Sequence, residues 1–585
     1  MSDRARRIAN LSPEKRRLLE SMLQERAQGR TDEGIPTLPR YSESGQPRVF
    51  PLSSAQRLMW FNVQRHPRVH KMPPQTILLR GPLDVAALEA SLHEICSRHE
   101  TLRTTFGTCN GEPVQIVGPP RPVPLTRVDL RELPPEAREA NVSRLIVRES
   151  RRPFDLSRDL MLRATLIRLD DEEHVLVLVM HHIASDGESL GVLFAELSAL
   201  YNALRAGRRA NLPELPVQYA DYVVWQWQRL RDGELQRLMG YWKNQLADAP
   251  VALHMPAGQR PLWPSRTRRR TRGRARQELR MPSQLLQELH VLCRRQNVTL
   301  FMTLLATWAT LLHRYSGEED ILIGTYTANR NRHEVERLVG CFTSYVLVLR
   351  HDLGGDPSFT ALLKRVRETA LDAFSHSELP EEILLKELYI RCDIVFTLQT
   401  TSRSGLKLDG LQVERIREDL GRSTPFLKLA MIQGDEDLTA RLTYNSNVFE
   451  AATIQRMLGD LQSLLEGVVA DPEQRISGLA LLTEDELPAP AGARRWGSPL
   501  RPAKARSWSI RFRKRLRWGL RHARRGAGRF VRAGQAWPLV GSLFARIERV
   551  FGRLLPPMAT EPFRIPSAGL QIGSDQTQAD SPRGK

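Results

Sequence analysis

Two adjacent histidines, His181 and His182, followed at fixed spacing by Asp186 and Gly187, are the residues of this 585-residue chain best suited to chemistry. A neutral imidazole has an unperturbed pKa of about 6.5, so it takes and returns a proton near neutral pH. A carboxylate four residues further on either caps a helix, by accepting from free backbone N–H groups, or pairs with a cation. A glycine beside it permits a turn or leaves a surface free of a Cβ. Paired histidines at a strand end are also met as polar residues satisfied at the rim of a core. From the residues alone both readings stand.

The elements that must hold these groups are legible around them. Val175–Met180 is six consecutive apolar residues, a buried strand running into the histidines. Beyond Gly187, apolar residues recur at Leu190, Leu193, Phe194, Leu197, Leu200, Tyr201 and Leu204, the spacing of an amphipathic helix. His182 therefore sits in a strand, loop and helix.

Composition sets outer bounds. The length predicts three or four units at ~100–200 residues each, and 41% hydrophobic residues can fill several cores. The formal charge is +20, unevenly placed. Residues 491–585 hold 21 Lys and Arg against 4 Asp and Glu, a net of +17, so residues 1–490 carry only +3. The five cysteines, Cys96, Cys109, Cys293, Cys341 and Cys392, show no zinc-type spacing. This fits a reduced, cytoplasmic protein, and the charged N-terminus lacks the apolar core of a secretory signal. Leu300–Leu312, interrupted by three threonines, is too short to span a bilayer and reads as a buried helix.

In chain order, residues 1–47 read as a leader helix, over residues 12–29, and a linker. A first lobe, 48–227, alternates strands and helices: a strand at Gln75–Arg80, a helix at Asp84–His99, and one or two strands over Leu166–Met180. A second lobe, 228–487, shows a helix at Leu300–Tyr315 and strands at Ile321–Thr327, Tyr345–Leu349 and Asp393–Thr400. A hairpin around Gly434, Phe426–Ile432 with Leu438–Asn445, and a helix at Ala451–Val469 follow. The mixture predicts an α/β or α+β fold. Residues 488–585 form the basic tail.

With these pieces placed, the sequence over Leu11–Leu487 resembles the condensation domains of nonribosomal peptide synthetases. His181, His182, Asp186 and Gly187 match that family's HHxxxDG signature. Leu52-Ser-Ser-Ala-Gln56 with Trp60-Phe61 is similar to the first motif, and Arg98-His-Glu-Thr-Leu-Arg-Thr-Thr-Phe106 matches the second. Tyr219-Ala-Asp-Tyr-Val-Val-Trp225 matches the fourth, Val339-Gly-Cys-Phe342 with Val346–Arg350 the fifth, and His376-Ser-Glu-Leu-Pro380 the sixth. Departures stand at Leu58, in place of an arginine, at Glu188, in place of a tryptophan, and at Thr343-Ser344-Tyr345, in place of Val-Asn-Thr.

The resemblance implies two chloramphenicol-acetyltransferase-like lobes in a V-shaped pseudo-dimer, with the basic helical tail outside it. It implies a condensation enzyme that joins a carrier-bound acyl or peptidyl thioester to an acceptor amine, forming an amide in secondary-metabolite biosynthesis. His182 would act as general base or position the amine, and Gly187 would form the channel floor. Asp186 would pair with an arginine of the second lobe, which the local match places at Arg330. Ser189 and Ser344 would line the cleft. His181 reads as structural support, because neighbours on an extended chain point to opposite sides.

No motif asks for a bound cofactor or metal. The substrates would arrive on phosphopantetheine arms of donor and acceptor carrier proteins acting in trans. In the tail, Trp508, Phe512, Leu516, Leu520, Ala523, Ala527 and Val531 recur mostly at fours among arginines, a basic amphipathic helix suited to an acidic partner or an anionic membrane surface. No nucleic-acid reading module accompanies the charge, which argues against nucleic acid. Two rival functions share the fold: an acyltransferase forming an ester or using a soluble acceptor, and a catalytically silent platform that recruits carrier proteins.

Overall fold

Val175–Met180 each keep 2% or less of their surface, so the strand carrying them must be covered on both faces. The computed structural model describes residues 34–65, 73–231, 233–250, 253, 255, 273–380, 383, 392–400, 405–416 and 426–482. Its first half runs β1 (Val49–Pro51), α1 (Ser54–Arg65), β2 (Gln75–Arg80), α2 (Val85–Arg98), β3 (Thr104–Cys109), β4 (Glu112–Val117), β5 (Leu125–Asp129), α3 (Pro135–Arg151), β6 (Leu162–Arg168), β7 (Glu173–Met180), α4 (Gly187–Arg205), α5 (Tyr219–Arg229) and α6 (Glu234–Gln245). The second half runs β8 (Arg274–Met281), α7 (Ser283–Arg295), α8 (Leu300–Ser316), β9 (Asp320–Thr327), β10 (Ser344–Asp352), α9 (Phe359–Ser375), β11 (Ile394–Thr400), β12 (Gln412–Ile416), β13 (Leu427–Gln433), β14 (Leu438–Asn445) and α10 (Ala451–Ala470).

β7 is the middle strand of a five-stranded sheet ordered β12-β2-β7-β6-β5, antiparallel to β2 and β6. Leu176, Leu178 and Met180 on one face meet Leu88, Leu92, Leu193 and Leu197 of α2 and α4, and α3 also packs on β7. Each such buried leucine contributes about 1.5–3 kcal/mol relative to exposure. A six-stranded sheet in the second half is ordered β10-β9-β11-β13-β14-β8, with α8 against β9 and β11 and α10 against β8 and β14. Inside α8, the buried Thr303, Thr307 and Thr310 hydroxyls donate to carbonyls four residues earlier, so the helix hides them without a polar penalty. The mixed α/β class expected from the sequence holds.

β12 crosses between the halves, pairing antiparallel with β2 from Gln412↔Arg80 to Ile416↔Thr76. A strand from the second half thus completes the sheet of the first.

Residues 34–47, read as linker, are tied to the body: Ile35 is buried, Arg40 donates to Asp221 through Nη1 at 2.8 Å and Nη2 at 2.7 Å, and Arg40 Nε lies 2.6 Å from Glu100 Oε2. The stretch carries few apolar residues and is held by charge, which a hydropathy reading does not register. The leader helix over residues 12–29 and the tail over 491–585 lie outside the described residues.

Candidate active site

β7 delivers the chain at Met180, and the next six residues tie themselves into a rigid loop. His181 N–H donates to the Met161 carbonyl at 3.0 Å, and its ring Nδ1 accepts from Ile183 N–H at 3.1 Å, capping a 3-10 turn over His182–Ala184. The Ser185 hydroxyl donates back to the His181 carbonyl at 3.0 Å. His181 is 2% exposed and meets the Phe154 ring edge-on, with centroids 5.5 Å apart.

His182 is half-buried, and its Nδ1 lies 2.7 Å from the Ser185 carbonyl. A carbonyl only accepts, so Nδ1 carries the proton. In the neutral ring the lone pair is then on Nε2, which is the arrangement of a base.

Asp186 has no exposed surface and joins two distant parts of the chain. Oδ1 accepts from Ser189 N at 2.9 Å and the Ser189 hydroxyl at 2.7 Å, which caps α4. Arg330 Nη2 reaches the same oxygen at 3.1 Å. Oδ2 accepts from Phe342 N at 3.1 Å, and from Thr343 N and Thr343 Oγ1, both at 3.2 Å. Arg330 is held in turn by the Val335 and Leu338 carbonyls, at 2.8 and 2.6 Å, and stacks over the Phe342 ring at 4.2 Å. A charge removed from water needs this degree of compensation.

Asp186 and Arg330 thus form a buried ion pair. Ser189 is fully buried; its hydroxyl donates to Asp186 Oδ1 at 2.7 Å, lies 2.9 Å from the Gly340 carbonyl oxygen and accepts from Gly340 N at 3.1 Å. As the third residue of α4 it faces back to the cap, so it braces the loop rather than lining a cleft. Gly187 opens α4, and a Cβ there would meet nothing within 4 Å. The fold does not itself demand glycine, so only obstruction of the space in front, not distortion, remains as a reason for it. Ser344 begins β10 opposite Thr327, next to a register shift before Leu347; its side chain lies outside the description.

Several residues quoted only as parts of motifs position this loop. The buried Gln56 amide donates to the Ile183 carbonyl at 3.2 Å while its Oε1 accepts from Ser53 N at 3.0 Å. The Tyr219 hydroxyl donates to the Cys341 carbonyl at 2.7 Å, and the Ser53 hydroxyl lies 2.9 Å from it. Burial pushes the Tyr219 hydroxyl and the Cys341 thiol well above their usual range, so both keep their protons. His99 accepts from Val339 N at 3.3 Å through Nδ1, with Nε2 2.8 Å from Glu196. Membership of an ordered motif is the signal that marks them. Among the described residues, no group of three or more His, Cys, Asp or Glu is placed to hold a metal.

The condensation domain family profile matches residues 46–488. The chain belongs to the condensation domain family. Over 448 residues it is 40% identical to a linear gramicidin synthase polypeptide of Brevibacillus parabrevis, covering 74% of this chain and 9% of that one. Over 498 residues it is 37% identical to phosphinothricin tripeptide synthetase PhsC of Streptomyces viridochromogenes, covering 83% and 45%. It thus spans less than half the length of these curated relatives. Among solved structures it is similar to the X-domain from teicoplanin biosynthesis, with a TM-score of 0.65, 28% identity, and coverage of 77% of this chain and 100% of that one. The first condensation domain of the calcium-dependent antibiotic synthetase shares the fold at a TM-score of 0.59 and 23% identity, covering 74% and 100%. The resemblance read from the ordered motifs holds.

Proposed function

We propose that this condensation domain joins a donor thioester to an acceptor amine, both presented on phosphopantetheine arms of carrier proteins, to form an amide. The observation that carries the reading is His182 Nδ1 at 2.7 Å from the Ser185 carbonyl, which leaves the lone pair of the neutral ring on Nε2. The amine nitrogen attacks the thioester carbonyl carbon and its proton passes to Nε2. The C–S bond then breaks, and the same proton returns to the leaving sulfur as a free thiol. Base catalysis of this kind gives typically ~10²–10⁴ in rate. The chain's own residues hold the imidazole: Asp186 and Arg330 fix the loop, Gln56 its turn, and Gly187 leaves the space in front open. Neither donor nor acceptor chemistry needs a cofactor resident in the domain.

A second reading, a recruitment platform, draws on the teicoplanin X-domain, one structure of which is a complex with OxyB, and on the altered Thr343-Ser344-Tyr345 stretch. The test is to load candidate carriers, add the full chain and follow product by mass spectrometry. Product from wild type that falls at least 100-fold in His182→Ala supports condensation. Equal product from both removes His182 from the mechanism, and carrier capture without product supports the platform. For the basic tail we propose docking of an acidic carrier, with cytoplasmic action; loss of carrier pull-down in a chain ending near Leu487 supports it.

A further inference from the structure

The two faces of the six-stranded sheet differ sharply. Leu427, Leu429, Ala440 and Leu442 have no exposed surface and face the helices. The intervening residues point the other way: Lys428, Arg441, Thr443 and Thr397 bring polar and basic groups to that face, beside the buried apolar Val395, Ala430 and Ile432. Residues directly opposed across strands share a face: Lys428 is opposite Thr443 and Ala430 opposite Arg441, Thr443 is opposite Arg276 and Arg441 opposite Glu278, and Thr397 is opposite Ala430.

Among the described residues, Lys428, Arg276 and Arg441 gather on this face around Glu278. Glu278 is shared by Arg441 at 2.6 Å and Arg276 at 3.5 Å. Among the described residues Lys428 has no carboxylate; its ammonium rests over the Tyr326 ring, 4.9 Å from the centroid. Diagonally beside it the Thr397 hydroxyl is buried, 7% exposed, and without a hydrogen-bond partner among the described residues. A desolvated cation and, diagonal to it, a buried hydroxyl with no partner among the described residues are each costly. An incoming anion satisfies both.

We propose that this face binds an oxyanion, a carboxylate or phosphate carried by the ligand, between Lys428, Arg441 and the Thr397 hydroxyl. Tyr326 ties the site to the reaction centre: four residues further along the chain, at most about 14 Å of extended backbone, Arg330 bonds Asp186. Burial, then the neighbouring Arg274 and Arg441, pull the Lys428 ammonium down to about 8, and a bound anion would offset all three. As a substrate contact the site rests on the proposed acyl transfer. As an anion site it does not.

The test uses the full chain and calorimetry. One arm compares phosphopantetheine with pantetheine, and the other compares glutamyl-pantetheine with glutaminyl-pantetheine, which distinguishes a phosphate from a carboxylate source. In one arm wild type is expected to prefer the anionic member about tenfold, the scale of one charge-assisted hydrogen bond. Lys428→Met should abolish the preference without lowering the melting temperature, and the isosteric Thr397→Val should reduce it about threefold. In wild type the preference should fade as pH rises past 8, with Arg274, Arg276, Arg441, Tyr326 and Glu278 facing the lysine. His182→Ala should retain the preference, which keeps this result separate from any failure of acyl transfer. No anionic preference in either arm, or one that survives Lys428→Met, overturns the proposal.

Discussion

Arg330 Nη2 stands 3.1 Å from Asp186 Oδ1, with 7% of the arginine side chain and none of the aspartate exposed. The pair closes the histidine loop of one half onto the loop after β9 in the other. Arg330→Leu leaves a buried carboxylate with its cation gone, and is expected to cost about 3–5 kcal/mol by urea unfolding. Asp186→Asn combined with Arg330→Leu should cost less than the two single changes added together, since the stranded charge disappears. Additive losses would show that the two residues do not act as a pair.

Two glycines in signature motifs should behave oppositely. A Cβ on Gly340 would fall 2.3 Å from Tyr219 Cδ2 and 2.7 Å from Phe342 Cε2, whereas one on Gly187 meets nothing within 4 Å. Gly340→Ala is expected to destabilise by about 1–3 kcal/mol, as overpacking does. Gly187→Ala should stay within ~0.5 kcal/mol of wild type. Gly187→Trp should then lower kcat/KM at an unchanged melting temperature, if the open space is where substrate lies.

What is readable from sequence follows local pattern. β2, β7, α2 and α8 declare themselves through apolar runs or helical periodicity, and their bounds agree to within a few residues. The β3–β4 hairpin escapes that reading although its two-residue loop, Asn110-Gly111, adopts positive φ of 52° and 81° in the manner such hairpins favour. Gly107 and Pro113 dilute the strand signal on either side. β8 does alternate, with Ala275, Leu279 and Met281 on one side and Arg274, Arg276, Glu278 and Arg280 on the other, but Gln277 interrupts the apolar side and the high charge hides the pattern from a hydropathy reading. β12 is invisible for a different reason: its partner β2 lies more than 300 residues away, and no local rule encodes that pairing. The union of Asp186 with Arg330 comes from the family resemblance alone.

His351 makes acid stability a specific test. It is 2% exposed within β10, and neither ring nitrogen has a hydrogen-bond partner among the described residues. Burial lowers its pKa to about 4, below the ~6.5 of an unfolded chain. Between those values the unfolded state binds the proton and the folded state does not, so stability is full above about 6.5 and declines as pH falls toward 4. His351→Leu should flatten this limb and raise the melting temperature at pH 5. An unchanged slope between pH 6.5 and 4 would assign acid sensitivity to other groups.

Gln56 offers the sharpest separation of positioning from packing. Its side chain has no exposed surface, and its amide holds the Ile183 carbonyl at 3.2 Å, one residue beyond His182. Gln56→Leu preserves much of the volume but leaves that carbonyl and Ser53 N–H without this partner, for a cost of about 1–3 kcal/mol. Stability loss alone would not identify a role in the reaction. Release of the turn displaces the imidazole, however, and a shift of ~1 Å can cost ~10²-fold. We expect kcat for amide formation to fall roughly 10–100-fold with KM nearly constant, because the lost contact touches no substrate. The double variant with His182→Ala should be no slower than His182→Ala alone, since Gln56 acts only through that ring. If the double variant is slower by the full factor of Gln56→Leu, the glutamine contributes by another route and the imidazole is held by the rest of the loop.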